Sequence, residues 1–279
     1  MTATIKTWGE CTKYTWDNHW KHTKSAETVW PRVNRLTDLW GKSFPLKKLS
    51  KGYEWINAMN DIRQEDEVSN ATVNRAISVG THALKFTYSA GLHLVKCPRF
   101  ERLDEQKNEQ PYLSKQQVEK LVFYARDHFD RDDLADAIIG AAYSGVRQSE
   151  LLRVRPTDID IENGVLHVRQ SKTKTSTRAV PLHPKVKAVI EKRMGNNLIW
   201  GDDWNNKDAL YRPYKRLVNY CGFDNNICWH SLRHSFATWL AAVDHPRTIM
   251  AILGHSNIQT TLRYCKVTDE AVHTAVSKI

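Results

Sequence analysis

Four residues near the C-terminal end stand at offsets that suit a single reaction. His230 and Arg233 lie three apart in the run Trp229-His230-Ser231-Leu232-Arg233-His234-Ser235-Phe236-Ala237, so on a helix they face the same way. Leu253-Gly254-His255-Ser256-Asn257 follows. There Gly254 can close one helix and Ser256 can cap the next, which leaves His255 exposed at the break. Tyr264 is expected two turns along that last short helix. Such a group offers hydrogen-bond donors, a cation and a hydroxyl nucleophile to one anion. His234 adjoins the motif but is expected to lie outside the site, because its offset from His230 points it elsewhere.

The composition suggests which anion. The 279 residues carry a formal charge of +10, with a pI of about 9.3. A balance this basic favours a polyanionic partner such as nucleic acid. No apolar run reaches membrane-spanning length, and residues 1–10 lack the apolar core of a signal peptide, so the expected location is the cytoplasm. The five cysteines are scattered, none in C-x2-C spacing, and are expected to be reduced structural thiols. Neither a P-loop nor a GxGxxG motif is present to hold a nucleotide.

The positioning elements can be read from periodicity. Residues 6–94 read as four helices: one with Trp8, Trp16 and Trp20, a second through Val33, Leu36 and Trp40, a third over 49–62, and a fourth from about Ser69 to Gly91. Residues 1–51 hold ten Lys and Arg against four Asp and Glu. That is either a solvated helix face or a surface for phosphates. Residues 98–111 are polar and charged, as an interdomain linker would be. Ser114 with Gln117 fits a capping box. Apolar small residues predict a packed helix over 134–143. Gly145 then ends it and puts Arg147 at the mouth of the next, where it can hold phosphate or simply pair with Glu150. Ile159 and Ile161, the Asn163-Gly164 turn, and Val165, Leu166 and Val168 predict a β-hairpin. A second turn over 171–177 leads to a third strand from Arg178 to Leu182, with Lys172 and Lys174 on the turn. Helices are expected over 184–194 and 207–221, the latter bent at Pro213. The loop over 196–206 is irregular and carries no recognisable motif.

Arg147, Lys172, His230, Arg233, His255 and Tyr264, in that order, resemble the tyrosine recombinase (phage integrase) family. The matching strings are SGVRQSELL, VRQSKTKTSTRAVPL, WHSLRHSFATWL and LGHSNIQTTLRY, and His255 and Tyr264 stand nine apart, as in the family. The resemblance covers about residues 109–279, and the N-terminal helices are similar to the family's core-binding domain in size and helix content. It implies a mainly α fold with a small antiparallel sheet: a four-helix, SAM-like core-DNA-binding domain with linker over 1–107, and an α+β catalytic domain over 108–279. It also implies a site-specific recombinase that cleaves and rejoins DNA through a 3′-phosphotyrosyl intermediate, without ATP, cofactor or metal. Tyr264 would attack, Arg147 and Arg233 clamp the phosphate, and His255 donates to it. Lys172, preferred over Lys174 by its position, would protonate the leaving oxygen. His230 would accept or orient the tyrosine proton, and Glu150 would give orienting support. The partners implied are double-stranded DNA and three further copies in a homotetramer on it, from a monomer or weak oligomer in its absence, with accessory bending or directionality factors. An additional arm-binding domain does not fit before the first helix, so a two-domain integrase of a phage or mobile element is expected. The alternatives are a Xer-like chromosome-dimer resolvase, a type IB topoisomerase, against which the His255–Tyr264 spacing argues, and a catalytically idle DNA-binding relative.

Overall fold

The computed structural model describes residues 5–105, 111–169, 177–204 and 206–265. The chain divides into two compact units, Met1–Asn108 and Glu109–Ile279. Among the described residues no helix is long and apolar enough to cross a membrane.

The first unit holds α1 (Trp8–Asn18), α2 (Ala26–Trp40), α3 (Gly52–Glu65) and α4 (Asn70–Ser89). Thr7 and Glu10 cap α1 reciprocally, and the Ser69 hydroxyl caps α4. The first helix is shorter than its aromatic periodicity predicts. It stops at Asn18, and Trp20 turns into the core from a following 3-10 turn. Indoles knit the interior: Trp40 meets Trp8 edge-on at 5.0 Å and Trp55 at 5.2 Å. The stretch expected to be linker is partly docked. Phe100 stacks on Trp55 at 5.7 Å, and the Asn74 amide holds the Leu103 carbonyl at 2.8 Å. Polar composition concealed this aromatic anchor and this hydrogen bond, which pin the segment to α3 and α4.

The second unit is built around α6 (Asp132–Ser144), in which every residue from Leu134 to Ser144 is buried. Its alanines let α5 (Lys115–Asp127), α8 (Pro184–Arg193) and α10 (Trp229–Ala241) pack closely on it, and Gly140 leaves room for Trp200 and Leu151. The capping box of Ser114 and Gln117 starts α5. After the short α7 (Gln148–Leu151), strands β1 (Ile159–Asp160), β2 (Val165–Val168) and β3 (Arg178–Pro181) form an antiparallel sheet in that order. Leu166 pairs with Val180 and Val168 with Arg178, and all four side chains face inward. Then come α9 (Lys207–Tyr220), α10, α11 (Pro246–Leu253) and α12 (Ile258–Leu262).

Candidate active site

Two helices end on left-handed glycines, and those ends hold the arginines. Gly145 (φ 64°) terminates α6 and Gly254 (φ 65°) terminates α11. A side chain at Gly145 would collide with Phe236, because its Cβ would lie 2.4 Å from a ring carbon. Arg233 of α10 is only 4% exposed. Its Nη1 donates to the Gly145 carbonyl and its Nη2 to the Leu253 carbonyl, both at 2.7 Å. Carbonyls at helix C-termini carry partial negative charge and lack intrahelical partners, so they suit a guanidinium. Burial, with Arg147 and Arg178 nearby, lowers the Arg233 pKa to about 9, still cationic at neutral pH. Arg147, at the mouth of α7, donates from Nη2 to the Gly254 carbonyl at 3.3 Å.

Arg147 also makes the pair with Glu150 that its spacing allows, at 2.8 Å. Glu150 is the hub of this side. Its carboxylate accepts from the Arg147 backbone N–H at 2.8 Å and from Arg178 Nη2 at 2.9 Å. Burial opposes its charge, but the Arg178 hydrogen bond, the Arg147 N–H and both cations together hold its pKa down to about 2. Arg178 further donates from Nε to the Ile252 carbonyl at 2.6 Å, so β3 is tied to α11. Sequence reasoning missed Arg178. The available signal was its parity with Val180, which makes a charged residue inward-facing.

On the other side stand the histidines and Tyr264. After α11 the His255 N–H returns to the Met250 carbonyl at 3.1 Å, a Schellman closure that puts His255 at the break, half-buried and not exposed as its position suggested. The next helix is capped by Asn257, whose side chain accepts from the Gln259 N–H at 2.9 Å, and not by Ser256. His255 Nδ1 lies 2.8 Å from the hydroxyl of the fully buried Thr261. Tyr264 is not two turns along a helix. The helix ends at Leu262, and Tyr264 follows in a turn closed by its N–H to Thr261 at 3.0 Å.

His234 corrects the sequence reading most directly. It is 6% exposed, and its Nδ1 lies 2.5 Å from the Tyr264 hydroxyl. His230 makes an edge-on contact with His234 at 4.5 Å and reaches solvent. Positions four apart on a helix share a stripe, so the offset of four places His234 beside His230 and brings it into the site. Lys172 and Lys174 lie outside the described residues.

The electrostatics have one theme. Burial lowers His234 and His255 to about 4, and for His255 the next causes are Arg233, Arg147, Arg178 and Arg263. His230 is lowered by partial burial and by Arg233 and Arg147. Burial raises the Tyr264 phenol, against Arg233 and Arg263. Cations crowd a site in which Glu150 is the neighbouring anion, which is the field of an anion-binding centre. Among the described residues no three His, Cys, Asp or Glu side chains converge as metal ligands.

Residues 111–271 match the model of the phage integrase family. The chain belongs to the phage integrase family. As a member it is a tyrosine site-specific recombinase, an enzyme acting on DNA. A tyrosine recombinase XerA of Thermococcus kodakarensis is 30% identical over 232 residues, 75% of this chain and 77% of the relative. Among solved structures, a fragment of the Tn1549 transposon integrase in complex with a circular-intermediate DNA superposes with a TM-score of 0.82. It is 18% identical and covers 99% of this chain and 100% of that one. A lambda integrase tetramer bound to a Holliday junction gives 0.71 at 18% identity, covering 91% of this chain and 78% of that one. At those identities the likeness concerns the fold: a mainly helical molecule with a small three-stranded sheet.

Proposed function

We propose that this recombinase performs its strand exchange with Tyr264 as the nucleophile and serves as the integrase of a mobile element or phage. The observation that carries the assignment is the convergence on one locus of Arg233, Arg147 and His255, with Tyr264 docked beside it. Tyr264 Oη forms a bond to a DNA phosphorus while the bond from phosphorus to the 5′ oxygen breaks. The result is a 3′-phosphotyrosine and a free 5′-hydroxyl, and the energy of the broken bond is kept in the new one. Arg147 and Arg233 neutralise the non-bridging oxygens of the transition state, and His255 donates to them. Lys172 protonates the leaving oxygen, and His230 accepts the proton that Tyr264 Oη loses as it bonds to phosphorus. Glu150 supports Arg147.

Residues 1–107 act as the core-DNA-binding domain, and four copies assemble on two duplexes, the arrangement named for lambda integrase on a Holliday junction. Phosphate contacts dominate affinity, so binding falls steeply as salt rises. The test is adduct formation on the DNA that adjoins the gene. Wild type is expected to give a denaturant-resistant protein–DNA adduct, and Tyr264→Phe to bind the same DNA without one. An undiminished adduct in that variant would sink the assignment. The likeness to a XerA recombinase favours a second reading, resolution of multimeric replicons. Sequencing the adduct junctions separates the two, since an integrase joins element ends to a separate target.

A further inference from the structure

The Tyr264 side chain has two attachments. Its ring packs on the small apolar cluster of Ala237, Ile249 and Leu253. Its hydroxyl has one hydrogen-bond partner among the described residues, Nδ1 of His234 at 2.5 Å. The two rings lie 5.6 Å apart and tilted. Such a contact, made by a side chain only 6% exposed, is fixed on the protein side. Most of α10 from Trp229 to Ala237 is buried, including the neighbours Arg233 and Ser235, so His234 has little room to turn.

We propose, resting on the reading of Tyr264 as nucleophile, that His234 is a further catalytic residue: its Nδ1 accepts the hydrogen bond of the Tyr264 hydroxyl and holds that oxygen docked for attack. A neutral phenol has one proton to donate. When that proton is committed to Nδ1, both oxygen lone pairs face away from the ring contact and are available to phosphorus. The arrangement requires His234 to carry its own proton on Nε2. It also requires a neutral ring, and the surrounding burial and cations favour neutrality. His234 therefore serves as the anchor of the docked state; as the bond from Oη to phosphorus forms, the phenol gives up that hydrogen bond and its proton goes to His230, which lies beside His234 on the same helix face. A tyrosine beyond the end of its helix has free χ1 and χ2 wells. A hydroxyl that wanders by about 1 Å from its attack position forfeits on the order of a hundredfold in rate.

Two measurements test the anchor. Nitrogen-15 NMR of the free protein reads the ring directly. Nδ1 of His234 is expected to be unprotonated and hydrogen-bonded, and to shift towards a free acceptor in Tyr264→Phe. A protonated Nδ1, or a signal indifferent to that substitution, would overturn the proposal.

The second measurement is the single-turnover rate of adduct formation on a nicked duplex taken from the DNA adjoining the gene. His234→Phe keeps volume and loses the acceptor, and is expected to slow the adduct on the order of 10- to 100-fold with DNA affinity retained. His234→Asn places an amide oxygen close to the Nδ1 position and is expected to recover most of that loss. If Asn is as slow as Phe, the acceptor role is wrong. If wild type itself gives no adduct while the NMR contact is present, the nucleophile reading fails and the anchor's catalytic role with it, whereas the hydrogen bond stands.

Discussion

Replacing Glu150 by Gln removes one negative charge from the buried hub and keeps its shape. The carboxylate accepts from the Arg147 backbone N–H and Nη1 at 2.8 Å each, and from Arg178 Nη2 and Nη1 at 2.9 and 3.3 Å. Its pKa is held to about 2 against the ordinary 4.5. That gap corresponds to about 3 kcal/mol at neutral pH. The Arg147 side chain is 39% exposed, so its share is screened, and about 2 to 3 kcal/mol is the working figure. A carboxyl held below its ordinary value stabilises the fold fully above about pH 5. The contribution fades as pH falls from about 4.5 towards about 2. Glu150→Gln is therefore expected to lower the stability of the second unit by about 2 to 3 kcal/mol at pH 7. The deficit relative to wild type should shrink on acidification, because the wild type loses its advantage. Urea unfolding at a series of pH values from about 7 to about 3, with the two units fitted as separate transitions, measures both. A deficit under about 1 kcal/mol at neutral pH, or one that does not narrow in acid, would refute the reasoning.

Two other substitutions probe the two sides of the site. Thr261→Val keeps the shape of the buried side chain and removes the hydroxyl 2.8 Å from His255 Nδ1. Adduct formation is expected to fall on the order of tenfold, the worth of one lost hydrogen bond. Thr261→Ser should restore it in the same single-turnover assay, and a silent Thr261→Val would dismiss the contact. Gly145→Ala combines a left-handed backbone with a Cβ 2.4 Å from Phe236 and 2.9 Å from Leu253. A loss of about 2 to 4 kcal/mol is expected from strain and overpacking, read as a lowered denaturation midpoint. A midpoint within experimental scatter of wild type would mean that Phe236 yields freely.

The sequence made the helices legible because their apolar stripes, caps and glycine stops are local. The Asn163-Gly164 hairpin and the Arg178 strand were legible for the same reason. Arg233 and His255 could be grouped because their spacings sit within one stretch. What escaped depended on three-dimensional encounters. Phe100 docks on Trp55 from a segment that composition marks as solvated. Arg178 meets Glu150 from a different element. Tyr264 lies past a helix that stops earlier than its spacing suggests, and this brings the hydroxyl to His234. The place of His234 is legible in the spacing, since an offset of four on a helix faces the same side as the offset of three between His230 and Arg233.

The grip on Arg233 has a mechanical consequence. Its two terminal nitrogens each spend a donor on main-chain carbonyls from different helices, at Gly145 and Leu253. A guanidinium has five N–H donors in a rigid plane, so the remaining three point where the frame of α6 and α11 directs them. The side chain is thus a strut that sets the gap between two helix ends. A phosphate that pulls on it loads both helices, and no rotamer change in Arg233 alone can relieve that load. Lysine at this position would keep the charge but could not brace two carbonyls in one plane.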